Sequence, residues 1–191
     1  NMKKSMFRIG MSLCVVALLA TSCKDDDTTE ETTATLYSKL GGTEMVSDPA
    51  NAGQMIEAGT LGLRSVVDST ILVIAGDSEL NPYFETLLGE LGEGNTTGLG
   101  ALSQSLTAFF VFATGKEGAS YSGLDMATAH DPSKNTRMGA SEGDKMKVNN
   151  ADFDAFVGAV VVGAQQNNVP LELIQEVGAL LETTRADVVQ R

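Results

Sequence analysis

Residues Tyr121 to His130 read YSGLDMATAH, and they end on the only histidine of the chain. The fold turns on what frames this stretch. Before it, Leu102, Leu106, Phe109, Phe110 and Ala113 recur at the spacing of one helical face, and Gly115 stops that helix. After it, Phe153, Phe156, Val157, Val160, Val161 and Ala164 share a second face, and Ile174, Val177, Gly178 and Leu181 a third. A lone histidine among apolar helices is a candidate axial ligand for a haem iron. The plain alternative is a surface or capping residue.

Working outward, Asn149 or Asn150 caps the second of these helices, and Asn167-Asn168-Val169-Pro170 separates it from the third. Upstream, Leu63, Val66, Val67, Ile71 and Ile74 predict an amphipathic helix over residues 54–75, ended by Gly76 and Asp77. Leu36, Tyr37 and Leu40 make a short helical stripe closed by Gly41-Gly42. Ser47-Asp48-Pro49 is a turn signal, and Asn81-Pro82 begins a turn into Tyr83-Phe84. Five glycines between residues 89 and 100 predict a flexible loop. Residues 131–149, polar and with Pro132, Gly139 and Gly143, predict a second, long loop. Strand signals are nearly absent, so the class is all-α.

The chain has 191 residues, a mean hydropathy of +0.01 and 42% hydrophobic side chains, enough for one globular domain plus a tail. Its formal charge of -12 argues against nucleic acid and against anionic membrane surfaces as partners. Lys3, Lys4 and Arg8 precede an apolar run, Ile9 to Ala20, too short to span a bilayer. Leu19-Ala20-Thr21-Ser22-Cys23 then resembles the lipobox of bacterial lipoproteins, which implies a signal peptide over 1–22 and lipidation of Cys23. An ordinary secretory signal or an uncleaved anchor is the alternative. Lys24-Asp25-Asp26-Asp27 and the Thr/Glu-rich residues after it predict a disordered acidic tether over 23–34. A lysine followed by acidic residues there resembles the export signal of surface lipoproteins in some Gram-negative bacteria. The expected location is the outer membrane, on its periplasmic or cell-surface face, with membrane contact through the lipid anchor only. Loss of 1–22 leaves ten basic against 25 acidic side chains, or -15, and no thiol pair for a disulfide or a cysteine metal site.

The globular stretch, residues 35–191, resembles a truncated haemoglobin of the group-one branch, a short globin with a two-over-two helical sandwich. Four motifs carry the resemblance in order: Leu36-Tyr37-Ser38-Lys39-Leu40-Gly41-Gly42; Asp77 through Tyr83-Phe84; Tyr121 through His130; and Asp152-Phe153-Asp154-Ala155-Phe156, followed by Val169-Pro170 and Asp187-Val188. The resemblance implies haem b as cofactor, with His130 as the proximal iron ligand and Phe84 wedging the porphyrin. It implies that Leu102, Leu106 and Phe110 line the distal face, and that Met126, Phe153, Phe156, Val177 and Leu181 line the proximal side and porphyrin edge. Each apolar residue is equally well read as ordinary core.

The departures bear on function. Ile71 stands where the family often places a tyrosine that bonds iron-bound oxygen, and an aliphatic side chain cannot donate. Gln104, Ser105 and Thr70 are the nearby polar candidates. Insertions fall after Val46, in 89–100 and at 131–149; the last brings Met138 and Met146 as candidate second axial ligands. The resemblance implies binding of O₂, NO or CO, or redox and NO chemistry with a reductase partner. The alternative is a degenerate, haem-free globin domain acting as a surface interaction module. No catalytic residue is assigned: no GxSxG marks a nucleophile, a single histidine does not build a zinc site, and Asp25-Asp26-Asp27 lacks the spacing of a calcium loop.

Overall fold

Helix α2 (Ala58–Gly76) is the element that the other helices pack around. Leu63, Val67, Ile71 and Ile74 recur along one side, and all four are buried. The computed structural model describes residues 34–138 and 146–191, all within the compact unit Thr33–Arg191. The signal segment 1–22, Cys23, the tether up to residue 33, and Gly139 and Gly143 lie outside the described residues. The described helices are α1 (Leu36–Lys39), α2, α3 (Glu85–Gly92), α4 (Thr97–Ala113), α5 (Met126–Ala129), α6 (Asn150–Gln166), α7 (Leu171–Glu182) and α8 (Arg185–Val188). A 3₁₀ turn, Asn81–Phe84, leads into α3. The architecture is all-α, a helical sandwich in which α2 packs on both α4 and α6.

The α2–α6 crossing is close because both helices present little there. A Cβ at Gly163 would lie 2.9 Å from the backbone nitrogen of Thr70 and 3.0 Å from the carbonyl oxygen of Val66. The Thr70 hydroxyl, which donates to that same Val66 carbonyl at 2.8 Å, also occupies the space a Gly163 Cβ would take. Asn167, past the end of α6, donates through Nδ2 to the Ser65 carbonyl and the Ser69 hydroxyl. The α6 N-terminus is fixed by a reciprocal capping box: Asn149 accepts from the Ala151 and Asp152 amides, and Asp152 accepts from the Asn149 amide.

Three expectations need correction. The helix read over 54–75 begins only at Ala58, because residues 55–57 pair with Met45–Ser47 as a two-stranded antiparallel hairpin, β1 (Met45–Ser47) and β2 (Met55–Glu57). Three-residue strands are too short to show alternation. The turn holds through Asp48, which accepts from the Ala50 amide and the Asn51 side chain and receives Arg64 of α2 at 2.6 Å. Arg64, with Asn51 and the Ala50 amide, holds the Asp48 carboxyl well below the usual carboxylate range.

Second, the glycine-rich 89–100 region is not a flexible loop. Gly89 and Gly92 lie in α3, and Gly98 and Gly100 in α4. At Gly98 the Glu90 carboxylate, the Arg137 guanidinium and Leu87 Cδ1 lie over the helix where a Cβ would stand. A helical glycine costs about 0.5–1 kcal/mol relative to alanine. Third, the 131–149 stretch is not simply a solvated loop. Met138, Met146 and Val148 are buried with Tyr83, Phe153 and Val188 in a second core cluster.

The two α6 glycines at 158 and 163 should respond oppositely to alanine. Gly163→Ala forces α2 and α6 apart and is expected to destabilise the domain by about 1–3 kcal/mol. Gly158 meets nothing within 4 Å, so Gly158→Ala should stabilise by about 0.5–1 kcal/mol. Thermal melts by circular dichroism check the pair; Tm shifts of the same sign would contradict the packing described.

Candidate functional site

His130 is placed by a helix of only four residues. Such a helix does not persist alone, since nucleation costs more than one turn returns. It is held from outside. Asp125 caps its N-terminus by accepting from the Thr128 amide at 2.9 Å, Asn135 donates to the Ala129 carbonyl at 2.7 Å, and Gln190 donates to the Ala127 carbonyl at 2.8 Å. His130 follows as the C-cap, and its Nδ1 lies 2.8 Å from the Met126 carbonyl oxygen. A carbonyl only accepts, so Nδ1 carries the proton and the lone pair is on Nε2. Burial lowers the imidazole pKa from its usual value, outweighing the opposite effect of the Met126 bond. The ring is thus a neutral imidazole with one committed nitrogen and one nitrogen able to ligate.

That ring lines a cavity of about 320 Å³. The volume lies within the range of small-molecule sites. Ile71 of α2, Leu102, Leu106 and Phe110 of α4, and Phe84 from the 3₁₀ turn line it together with Met126, Phe153, Phe156 and Leu181. Leu72 and Leu124 also line it while 72% and 49% exposed, so the cavity opens to solvent.

Four of the residues singled out in the sequence, Val177, Gln104, Thr70 and Met146, are not brought there. Val177 faces the first core cluster with Leu63, Val67 and Val160, on the far side of the wall formed by Phe110 and Leu181. Gln104 is exposed on α4, turned away from the lining positions Leu102, Ser105 and Leu106. Thr70 donates to its own helix. Ser105 does line the cavity. Of the two methionines in the loop, Met138 lines the cavity and Met146 packs behind it. Met138 shares its cluster with Met126 and Phe153.

The sequence reading missed much of the lining. Leu91 and Leu99 fall in the stretch expected as a loop and Leu87 and Leu88 just before it, although the i, i+1, i+4 spacing of Leu87, Leu88 and Leu91 is a usable helical signal. Phe109 and Tyr121 also line it, stacked edge to face at 5.8 Å between ring centroids. Gly123 lets the Tyr121 ring fold back, because a Cβ there would overlap it.

A polar pair sits in this otherwise apolar lining. The Tyr83 hydroxyl donates to Asp152 Oδ2 at 2.6 Å, and the same oxygen accepts from the Asn149 amide at 2.8 Å. The α6 cap therefore also satisfies a buried phenol. Burial first, and the Asp152 bond second, push the Tyr83 hydroxyl up to about 12. Among the described residues no group of three or more His, Cys, Asp or Glu side chains is placed to hold a bare metal ion.

Solved structures share this fold. The truncated haemoglobin of Tetrahymena pyriformis, as a single-site mutant in the Fe(III) form, matches with a TM-score of 0.57 and 20% identity, covering 83% of this chain and 100% of that one. The 2/2 haemoglobin of Synechococcus sp. PCC 7002, in the cyanomet state with covalently attached haem, matches with a TM-score of 0.57 and 23% identity over the same shares. No protein-family model and no curated protein matches the chain. The chain therefore has the two-over-two globin fold of the truncated haemoglobins.

The Tyr83 pair makes stability depend on alkaline pH. A phenol whose folded pKa is raised above the unfolded value near 10 adds stability that is fully present below pH 10 and lost as pH rises through 12. Tyr83→Phe should flatten the fall in denaturant stability over that window, and should cost about 1–2 kcal/mol at pH 8 from the lost bond to Asp152. Urea titrations at pH 8 and 11 test this. An unchanged slope in the variant would contradict the assignment.

Proposed function

We propose that the domain binds haem b through His130 and presents its iron to a diatomic gas. The observation that carries the reading is the His130 ring itself: neutral, oriented by the Met126 carbonyl, and lining an open apolar cavity. The lining fits a flat, largely apolar macrocycle, with Phe84, Phe153 and Phe156 supplying ring surfaces and Met126 and Leu181 aliphatic ones. The likeness to haem-carrying globins of known structure supports it. Bound haem supplies the iron centre for O₂, NO or CO binding and for redox chemistry with a reductase partner.

The chain's own residues set the character of that centre. Met126 fixes the imidazole tautomer and orientation, an outer-shell role whose loss typically costs 10–100-fold in affinity. Ile71, Leu102, Leu106 and Phe110 keep water from one face of the cavity and offer no hydrogen-bond donor. A donor to polarised, iron-bound oxygen is a charge-assisted bond of about 1.5–3 kcal/mol. Where these apolar side chains rather than the Ser105 hydroxyl face the bound gas, the expected behaviour is weak oxygen retention and ready oxidation, which favours NO or redox chemistry over oxygen storage. The second reading, a haem-free interaction module, expects a cavity closed by side chains; an open one of about 320 Å³ favours the first.

The same proposal places the domain on an exported lipoprotein, held at the outer membrane through Cys23. Its support is the sequence pattern alone. Cys23→Ala should abolish labelling by a radioactive fatty acid in a Gram-negative host and leave the protein unprocessed on gels. Label retained in the variant would overturn the anchor.

Haem binding is tested by absorbance of the protein with hemin, before and after gel filtration, beside His130→Ala. The wild type should retain a sharp Soret band, and the variant should lose it or weaken hemin binding by more than about 10-fold. No stable band in the wild type, with helicity and melting intact, would favour the interaction-module reading.

A further inference from the structure

The hairpin β1–β2 stands apart from the cavity, and none of its strand residues lines it. Its register sets Met45 opposite Glu57, Val46 opposite Ile56, and Ser47 opposite Met55. Side chains alternate across a strand, so Val46 and Ile56 share one face, and Met45, Ser47, Met55 and Glu57 the other. Val46 and Ile56 are half-buried. Met45 and Met55 are 52% and 55% exposed. Outward strand positions are ordinarily polar, yet two of these four carry a thioether.

The ladder brings the two thioethers together. The Asp48 amide donates to the Gln54 carbonyl at 2.9 Å, and the Ala58 amide to the Glu44 carbonyl at 2.7 Å. Hydrogen-bonded and non-hydrogen-bonded pairs alternate along an antiparallel ladder. Met45–Glu57 and Ser47–Met55 are therefore non-hydrogen-bonded pairs, where side chains lie closest across the strands. Met45 and Met55 are diagonal neighbours on that face, about 7–8 Å apart and somewhat less between Cβ atoms, a gap that long side chains bridge.

The frame beneath them is fixed at both ends. At the turn, Arg64 of α2 holds Asp48 at 2.6 Å. At the open end, Lys116 beyond α4 holds Glu57 at 2.7 Å, and the Tyr37 hydroxyl donates to the same carboxylate oxygen. A two-stranded hairpin that would not stand alone is thus clamped to the helices. Glu57 is engaged by these contacts, which leaves the thioethers as the soft donors of the face.

A thioether is neutral and polarisable, and as a soft ligand it suits Cu(I) rather than hard cations. It needs no deprotonation to bind. We propose that Met45 and Met55 form a bis-thioether site for a soft monovalent cation, Cu(I), on the outward face of the hairpin. The site is independent of the cavity and of what fills it. The ion enters as Cu(I) and is coordinated without electron transfer. Because both sulfurs stand on one frame, the second binds at high effective concentration, and the pair holds the ion roughly 100-fold tighter than either alone.

The test uses the full chain with Cys14→Ser and Cys23→Ser, which removes the competing thiols. Its methionines are isotope-labelled at the methyl carbon, and Ag(I) serves as a redox-inert soft monovalent probe. Met45→Leu and Met55→Leu assign the two methyl signals. Both signals should shift together, ahead of the other methionines, and equally at pH 6 and pH 8. Each leucine variant should bind roughly 100-fold more weakly. Competition with bicinchoninate should give the same order for Cu(I). Leucine keeps the apolar character of methionine at two exposed positions, and thermal melts check that the fold is unchanged. Methyl signals that do not move would overturn the site. So would a Met55 signal that responds with undiminished affinity in Met45→Leu, or an equal response to Zn(II).

Discussion

The domain depends on how near α2 can come to α6. At Gly163 the two backbones are separated by less than a side chain, and the Thr70 hydroxyl, bonded to its own helix, fills the space that the missing Cβ leaves. The consequence runs along α2 in both directions. Its first half gives Leu63 and Val67 to the inner core, while its second half gives Ile71 and Ile74 to the cavity wall. Phe110 and Leu181 belong to core and cavity alike. The cavity is therefore an extension of the core: moving its wall means repacking the core, and tightly packed interiors resist that.

Helical periodicity revealed the elements that bury a continuous stripe. The two long central helices, the capped α6 and α7 were legible because each repeats its apolar face over several turns. The motif around His130 was legible for another reason, as a cluster of residues with individual roles: Asp125 as cap, Gly123 as clearance for Tyr121, and His130 as the last residue. Glycines misled where they serve contact rather than flexibility. Gly98 reads as a loop signal, yet it stands in a helix, with the Glu90 and Arg137 side chains lying over it. The hairpin was hidden by brevity, and its anchor, the Asp48–Arg64 pair, joins residues that sequence gives no reason to pair.

The cavity lining shows the same division. Residues on long helices, such as Leu102, Leu106 and Phe156, were readable from their face. Those from α3 and the 131–149 segment were not, since polar neighbours there mask a few buried positions. Val177 was misplaced by one layer: its helix was read rightly as apolar, but a stripe does not say which of two adjacent apolar volumes it borders. The buried Tyr83–Asp152 pair needed the fold to be seen, because its members lie 69 positions apart.

The open cavity has a consequence for how much protein a cell maintains. The cavity, about 320 Å³ and open to solvent, leaves apolar side chains wetted, and each Å² of them that an occupant covers contributes about 25 cal/mol. Whatever fills the space adds to stability by mass action. Molecules made while the occupant is scarce spend more time open, and proteases remove them first. On the haem reading proposed above, abundance of the folded chain then follows supply of the cofactor.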